Sequence, residues 1–480
     1  MIGLIQKLFR LKAKKPIEVN LEIKDIQGLL IKSYSHLSHS NYLFFEIQDP
    51  QKAQKWLEEC LANDRFTAAY RAPGVAPDAI KSAMNIAFTA KGMEAIGASK
   101  TLIESFAPEF QQGMQHIERS RRIGDYGTLN DPKNWEESWS KLIHLMVVLQ
   151  GKPSEMKDLR DNLISECASA GLGFIDHEEG YLPADHKEHF GFTDSISQPT
   201  IEGSPRAKRS KRLDSQLTKA GEFILGYINE DGNFPQTPFV HISEDKLNCL
   251  AALPNRTKRD FGKNGSYFVY RKMEQDVAKF RQYFDSVDDG AKMAAKAVGR
   301  WPSGVSLVDS PDQDPGADNY IRNDFGYRDR DPDGSRCPFA SHVRRLNPRD
   351  SQGDNKEDAL KSAQRRRIIR RGTVYGDRLP DGQLESDNQP RGLHFFCINA
   401  NIRRQFEFLQ QSWVNNPKFH GLYEERDPLI GVNPDDSDRM MTVPDEDGAK
   451  TLSLPNFVKV KGGEYFFMPS LSAIRFLSQL

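Results

Sequence analysis

The feature that most constrains this chain is a switch between strand-like and helix-like hydrophobic patterns that occurs in both of its halves. NYLFFEI, from Asn41 to Ile47, is rich in aromatic and branched residues, the composition of a strand. Asp49 and Pro50 follow at once, an N-cap and a first-turn proline that open the helix QKAQKWLEECLA. AMNIAFT predicts a second strand, and Thr89 at its end can cap the helix AKGMEAIG. LIHLMVVLQG is a third strand, apolar enough to be buried on both faces, and a helix from about Ser154 to Ala168 follows it. In the second half GSYFVYRKMEQDVAKFRQYF runs from strand into helix, and GLHFFCINANIRRQFEFLQQSW does the same. In that second helix Ile402, Phe406, Leu409 and Trp413 are spaced 4, 3 and 4, one apolar stripe. GEYFFMPSL, Gly463 to Leu471, reads as a final strand. Two halves built of strand–helix units predict a duplicated α+β architecture, each sheet covered by helices on one face.

Two regions interrupt this rhythm. One is Glu188 to Arg212, between the halves; the other is Gly299 to Phe339, crowded with Gly, Pro and Asp. Irregular runs of that length inside a compact protein are functional or disordered. The second leads directly into CPFASHVRRLNPRD and its single histidine, His342, which favours the functional reading. The chain divides into a tail (1–19), an N-terminal domain (20–187), an inter-domain loop (188–212) and a C-terminal domain (213–480). The tail begins MIGLIQKLFRLKAKKP, basic and briefly apolar, without a long apolar core or a small-residue cleavage site. It reads as a frayed terminus rather than a signal peptide.

Charge narrows the function classes. Lys and Arg number 66 against 67 Asp and Glu, a balance of −1 with no global drive toward nucleic acid or an anionic membrane. Five scattered cysteines without a CxxC pair argue against a disulfide framework or a zinc site and suit a reducing compartment, so a cytoplasmic location is expected. No eighteen apolar residues run together, so no membrane-spanning helix is expected. Monomer and homodimer both remain open.

His342 is a metal ligand, a catalytic base, or an ordinary core-edge side chain. No second ligand stands at helical spacing from it, which disfavours zinc. A lone histidine is still a complete protein ligand when the iron arrives inside a haem macrocycle. The propionates would then need cations, and Arg344, Arg345 and Arg349 are close in sequence. The run QRRRIIRRG is a solvated charged face or, through Ile368 and Ile369, a strand. In a strand, neighbouring arginines face opposite sides, and one of Arg370 and Arg371 points inward. Asp194, in GFTDSISQP, is a turn-closing carboxylate or a catalytic one.

Taken together, these segments resemble the dye-decolourising peroxidases. NIAFTAKGMEAIG, GFTDSISQP, GSYFVYRKMEQDV, VGRWPSGVSL, DPDGSRCPFASHVRRLNPRD, RRIIRRGTVYG, GLHFFCINANIRRQFEFLQQSW and GGEYFFMPSLSAI follow one another in the family's order, from about Gly28 to the C-terminus. The resemblance implies two ferredoxin-like halves in a dimeric α+β barrel-like arrangement within one chain, with one haem b held mainly by the second half. It implies His342 as proximal iron ligand, Asp194 as distal acid of a GxxDG motif, Arg370 as distal arginine, and Leu393 and Phe395 lining the distal haem face. Asp427, in DPLIG, is the best candidate for the carboxylate that orients His342, with Glu424 and Glu425 nearby. Ser195 departs from the family by standing where the motif has glycine. It either strains the loop or donates its hydroxyl to Asp194 or a propionate, and the hydrogen bond is the preferred expectation.

The activity implied is reduction of hydrogen peroxide and oxidation of bulky organic donors such as dyes and phenolics in one-electron steps. Asp194 would move the proton and Arg370 would stabilise developing negative charge. A carboxylate, with a reference pKa of about 3.9, serves as a base at lower pH than histidine does. Electrons from donors too large for the pocket would pass through a surface aromatic residue, with Tyr375 a candidate. The alternatives are a haem-handling or haem-storage protein with little turnover and, on the arginine run alone, a nucleic-acid-binding module.

Overall fold

The computed structural model describes residues 19–209, 216–316, 323–445 and 448–480. The 1–19 tail lies, but for its last residue, outside these described residues. In the first half the strands are β1 (His39–Ile47), β2 (Ala83–Phe88), β3 (Leu145–Gly151) and β4 (Leu172–Tyr181). Helix α1 (Pro50–Ala62) joins β1 to β2, and α2 (Pro153–Ser169) joins β3 to β4. The Asp49 carboxylate accepts the N–H of Lys52 at 3.1 Å, and the Thr89 hydroxyl accepts that of Gly92 at 3.0 Å. Each satisfies a donor that a helix start leaves unpaired. In the second half β5 (Ser266–Gln275) leads into α3 (Val277–Asp285). The strands β6 (Ile369–Arg370), β7 (Thr373–Tyr375), β8 (Gly392–Asn399) and β9 (Val458–Met468) complete the set.

Both halves order their strands alike, β4-β1-β3-β2 and β9-β5-β8-β7, the ferredoxin-like arrangement. The two sheets do not stand apart. β9 pairs with β2 at Phe467–Phe88, and β7 pairs with β4 at Val374–Tyr181, so the eight strands close into one barrel and no edge is left between the halves. Inside it the rings of Tyr42, Phe44, Tyr270 and Phe396 lie 4.5 to 6.2 Å apart, and Trp139 stacks on Tyr270 at 5.0 Å. α2 packs outside, on β1, β3 and β4.

Two expectations are revised. The stripe of Ile402, Phe406, Leu409 and Trp413 is buried, but Arg403–Glu407 and Leu409–Val414 wind as π-helix, with five-residue bonds from Glu407 N–H to Ile402 O (2.9 Å) and Asn415 N–H to Gln410 O (3.0 Å). Side-chain bonds tie this segment to the rest of the fold: Arg345 donates to the carbonyl of Trp413, and the segment's own Gln405 amide donates to those of Glu222 and Arg367 at 2.8 and 2.7 Å. Second, the described part of 299–339 is a packed element without regular structure. Trp301, Leu307, Val308, Phe325, Tyr327 and Cys337 form a small core of their own.

A buried carboxylate organises the end of that element. Asp331 accepts the N–H groups of Arg336 and Cys337, both at 2.9 Å, and the guanidinium of Arg344 at 2.7 Å. Replacing Asp331 by Ala leaves the Arg344 charge buried and unpaired, and should cost about 3–5 kcal/mol. Chemical denaturation checks this; a loss below about 1 kcal/mol would contradict it.

Candidate active site

His342 is the first residue of the short helix α4 (His342–Leu346). Its Nδ1 lies 2.9 Å from Oδ2 of Asp427, which is wholly buried. The other carboxylate oxygen, Oδ1, accepts the N–H groups of Leu429 (2.9 Å) and Ile430 (3.0 Å). Burial pushes the Asp427 carboxyl up, but the His342 ring and these hydrogen bonds outweigh it and hold the group below the usual carboxylate range. An ionised Asp427 accepts the proton on Nδ1 and so leaves the lone pair on Nε2. Among the described residues Nε2 has no hydrogen-bond partner, and the side chain is 21% exposed. The neighbouring Glu425 is engaged elsewhere, accepting the N–H of Thr442 at 2.8 Å.

The second cluster is set by the β6–β8 ladder. Arg370 faces Cys397 across it, so it shares a face of β8 with Phe395 and Leu393. Those two are half-buried, whereas His394 and Phe396 point into the barrel core. The Arg370 guanidinium lies 3.1 Å from the Asp194 carboxylate, both partly open to solvent. Arg371 turns the other way and donates to the carbonyl of Leu29 at 3.1 Å.

The Asp194 loop is pinned from several directions. The N–H of Asp194 donates to His186 O at 2.9 Å, and Thr193 donates to Pro302 O through its N–H (3.2 Å) and its hydroxyl (2.9 Å). His189 Nε2 donates to Tyr375 O at 2.8 Å, and Gln198 Oε1 accepts the N–H of Arg370 at 3.1 Å. Glu188, which the sequence did not single out, accepts the N–H groups of Phe190 (2.9 Å) and Phe192 (3.0 Å) from inside the loop. Its only sequence signal is an acid placed just ahead of GFTD.

Arg344, expected near the propionates, is directed to Asp331 in this structure. It is 1% exposed, bonded to Asp331 and Cys337 O, and sandwiched between the rings of Tyr327 and Phe339 at 4.3 and 4.5 Å. Arg345 is equally buried, donating to the carbonyls of Trp413, Asn416 and Glu425. Arg349 differs. It and Arg300 are both buried and both donate to Asn323 Oδ1, at 2.6 and 2.9 Å. Among the described residues neither has a carboxylate within ion-pair distance, and burial together with the Arg349 charge pushes the Arg300 guanidinium down to about 10. Tyr375 is 8% exposed and packs on His394, so it is not a surface aromatic.

Residues 25–172 match the family described as the DyP dimeric alpha+beta barrel domain. The chain is 30% identical to dye-decolorizing peroxidase msp1 of Mycetinis scorodonius, over 95% of this chain and 87% of the relative. It is 31% identical to multifunctional dye peroxidase DyP2 of Amycolatopsis sp., over 73% of this chain and 75% of the relative. The chain belongs to the dye-decolourising peroxidase family. Among solved structures, a fungal DyP-type peroxidase from Auricularia auricula-judae superimposes with a TM-score of 0.78 at 27% identity, covering 96% of this chain and 100% of that one. A dye-decolorizing peroxidase engineered in its heme pocket for asymmetric sulfoxidation gives 0.78 at 26% identity, covering 95% and 100%.

Where dye-decolourising peroxidases end the GxxDG motif in glycine, Ser195 adopts φ +64°. This left-handed conformation costs a side chain about 1–2 kcal/mol. Among the described residues its hydroxyl has no partner, so the expected hydrogen bond to Asp194 is not formed. The left-handed backbone at Ser195 is a strain that glycine would not carry. Ser195→Gly should stabilise the protein by about 0.5 kcal/mol, the strain relieved being partly offset by the freer unfolded chain. Melting curves of the haem-loaded proteins check this; an equal or lower Tm for the glycine variant would contradict it.

Proposed function

We propose that this chain is a haem-dependent peroxidase that reduces hydrogen peroxide and oxidises bulky organic donors by one-electron steps. The observation that carries the proposal is the pair of preorganised clusters: a histidine whose Nδ1 is fixed by a buried carboxylate, and an arginine–carboxylate pair on an apolar strand face. The donor set fits haem b. Nε2 of His342 is the free nitrogen an axial ligand needs. Leu393 and Phe395 offer half-buried apolar surface to a macrocycle. Arg300 and Arg349 are a buried cationic pair without a described carboxylate, suited to the haem propionates. Among the described residues no three His, Cys, Asp or Glu side chains gather into a metal cage, so the iron would come with its own ring.

Bound haem would supply the redox chemistry, linking the two-electron reduction of peroxide to one-electron oxidation of two donor molecules. The chain's own residues do the rest. Asp194 takes the proton from the peroxide oxygen that attacks and delivers it to the oxygen that leaves as water. Arg370 stabilises negative charge on the departing oxygen and holds Asp194 in place through their 3.1 Å contact. Asp427 holds the ring of His342 in one orientation and one tautomer. Ser195 borders the same space beside Asp194.

Two variants test the assignment. His342→Ala should lose tightly bound haem, read as haem per chain after gel filtration; wild-type content and an unchanged Soret band would reassign the ligand. Arg370→Leu should keep haem but slow the spectral change on mixing with peroxide by about 10²–10³, the typical effect of removing one preorganised donor. Wild-type rates would move that role elsewhere.

A further inference from the structure

The cavity into which Asp194 and Arg370 open continues well past them. It measures about 1280 Å³ and runs along the 20–36 segment, the 194–209 segment and the 369–373 segment that begins with β6. Ile31, Tyr70, Ile80 and Leu182 give it apolar wall. Its charge is one-sided: lysines and arginines outnumber carboxylates eight to three among the lining residues.

All three of those carboxylates are already engaged. Asp194 is paired with Arg370, and Glu22 with Lys263 and Asn264. Asp25 accepts from Asn264 at 2.7 Å and from the N–H of Ser472 at 2.7 Å. On the other side, Lys32, Arg71, Arg206 and Arg371 have no carboxylate partner among the described residues. They are set against one another instead. Burial foremost, and then the Arg71 charge, depresses Lys32; burial and then the Arg206 charge lowers Arg371 to about 10. Like charges gathered in a partly apolar cavity are an arrangement that an anion relieves.

We infer that this cavity is a binding site for an aromatic organic anion, a carboxylated or sulfonated phenol-sized molecule with its charge toward Arg71 and Arg206. The role of the bound molecule rests on the peroxidase reading, in which it is the electron donor. Each phenol gives up one electron and one proton, and two such molecules balance one peroxide reduced to two waters. Binding itself does not depend on that reading.

Ferulate and methyl ferulate share a ring and a phenol and differ only in the carboxylate charge. Their dissociation constants are to be measured by equilibrium dialysis against the haem-loaded protein without peroxide. The wild type should bind ferulate at least about tenfold more tightly than the ester, an amount that two or three partly exposed charge contacts supply together. The preference should shrink toward one in the double variant Arg71→Gln/Arg206→Gln, and in the wild type as salt is raised. Equal binding of the two by the wild type, or a preference that survives both changes, would overturn the inference. Failure of the peroxidase reading would show separately, as peroxide left unconsumed whatever the dialysis result.

Discussion

Asp427 is a carboxylate with no access to solvent, and much of the second half of the chain is arranged to keep it so. Its two oxygens are directed differently, one to the N–H groups of Leu429 and Ile430, the other to the ring of His342. The partners lie 85 residues apart, and a second buried group ties their elements together. Arg345, three residues into α4, donates to Trp413 O, Asn416 O and Glu425 O, on the segment that leads into Asp427. A buried guanidinium is costly unless it is hydrogen-bonded, and here its two terminal nitrogens are answered by carbonyls of the π-helical turn and the loop beyond it. The orientation of one imidazole thus follows from a fully buried acid, a fully buried base and an unusual helix.

The opposite cluster depends on the barrel. Strand alternation sends Arg370 to the face that carries Leu393 and Phe395, and sends Arg371 to the other. Asp194 has no such frame of its own. It sits on a loop between the halves, held by bonds to Pro302, Tyr375, the N–H of Arg370 and His186. Ser195 is the strained point in that loop, next to the residue whose placement matters most.

Much of the fold was legible because period carries it. β1, β2 and β3 and the helices α1 and α2 follow from apolar runs and from the caps Asp49 and Thr89, whereas β4, LGFIDHEEGY, carries no apolar run and was not legible as a strand. Barrel closure was not readable from period, since each seam between the halves is a single bridging pair. The π-turns were hidden as well. The 4, 3, 4 stripe suits an α-helix equally, and the wider winding is tied down by bonds to residues remote in the chain, Arg345, Glu222 and Arg367. At the site, His342, Asp194, Arg370 and Asp427 came from motif resemblance, and the structure groups them into two pairs. Arg344 shows that sequence proximity does not decide where a long side chain ends. An arginine two residues from His342 reaches back to Asp331, while Arg300, far off in the chain, joins Arg349 on Asn323. Where a long flexible cation ends is decided by tertiary structure alone.

The most direct test is a titration of the purified, haem-loaded wild type followed by absorption. One equivalent of hydrogen peroxide should change the haem spectrum within the mixing time, and two equivalents of a one-electron donor should restore it. That stoichiometry is what a peroxidase with a working Asp194–Arg370 pair must show. A haem spectrum that stays as it was after peroxide, with haem still bound, would contradict the account and leave a protein that holds haem without using it.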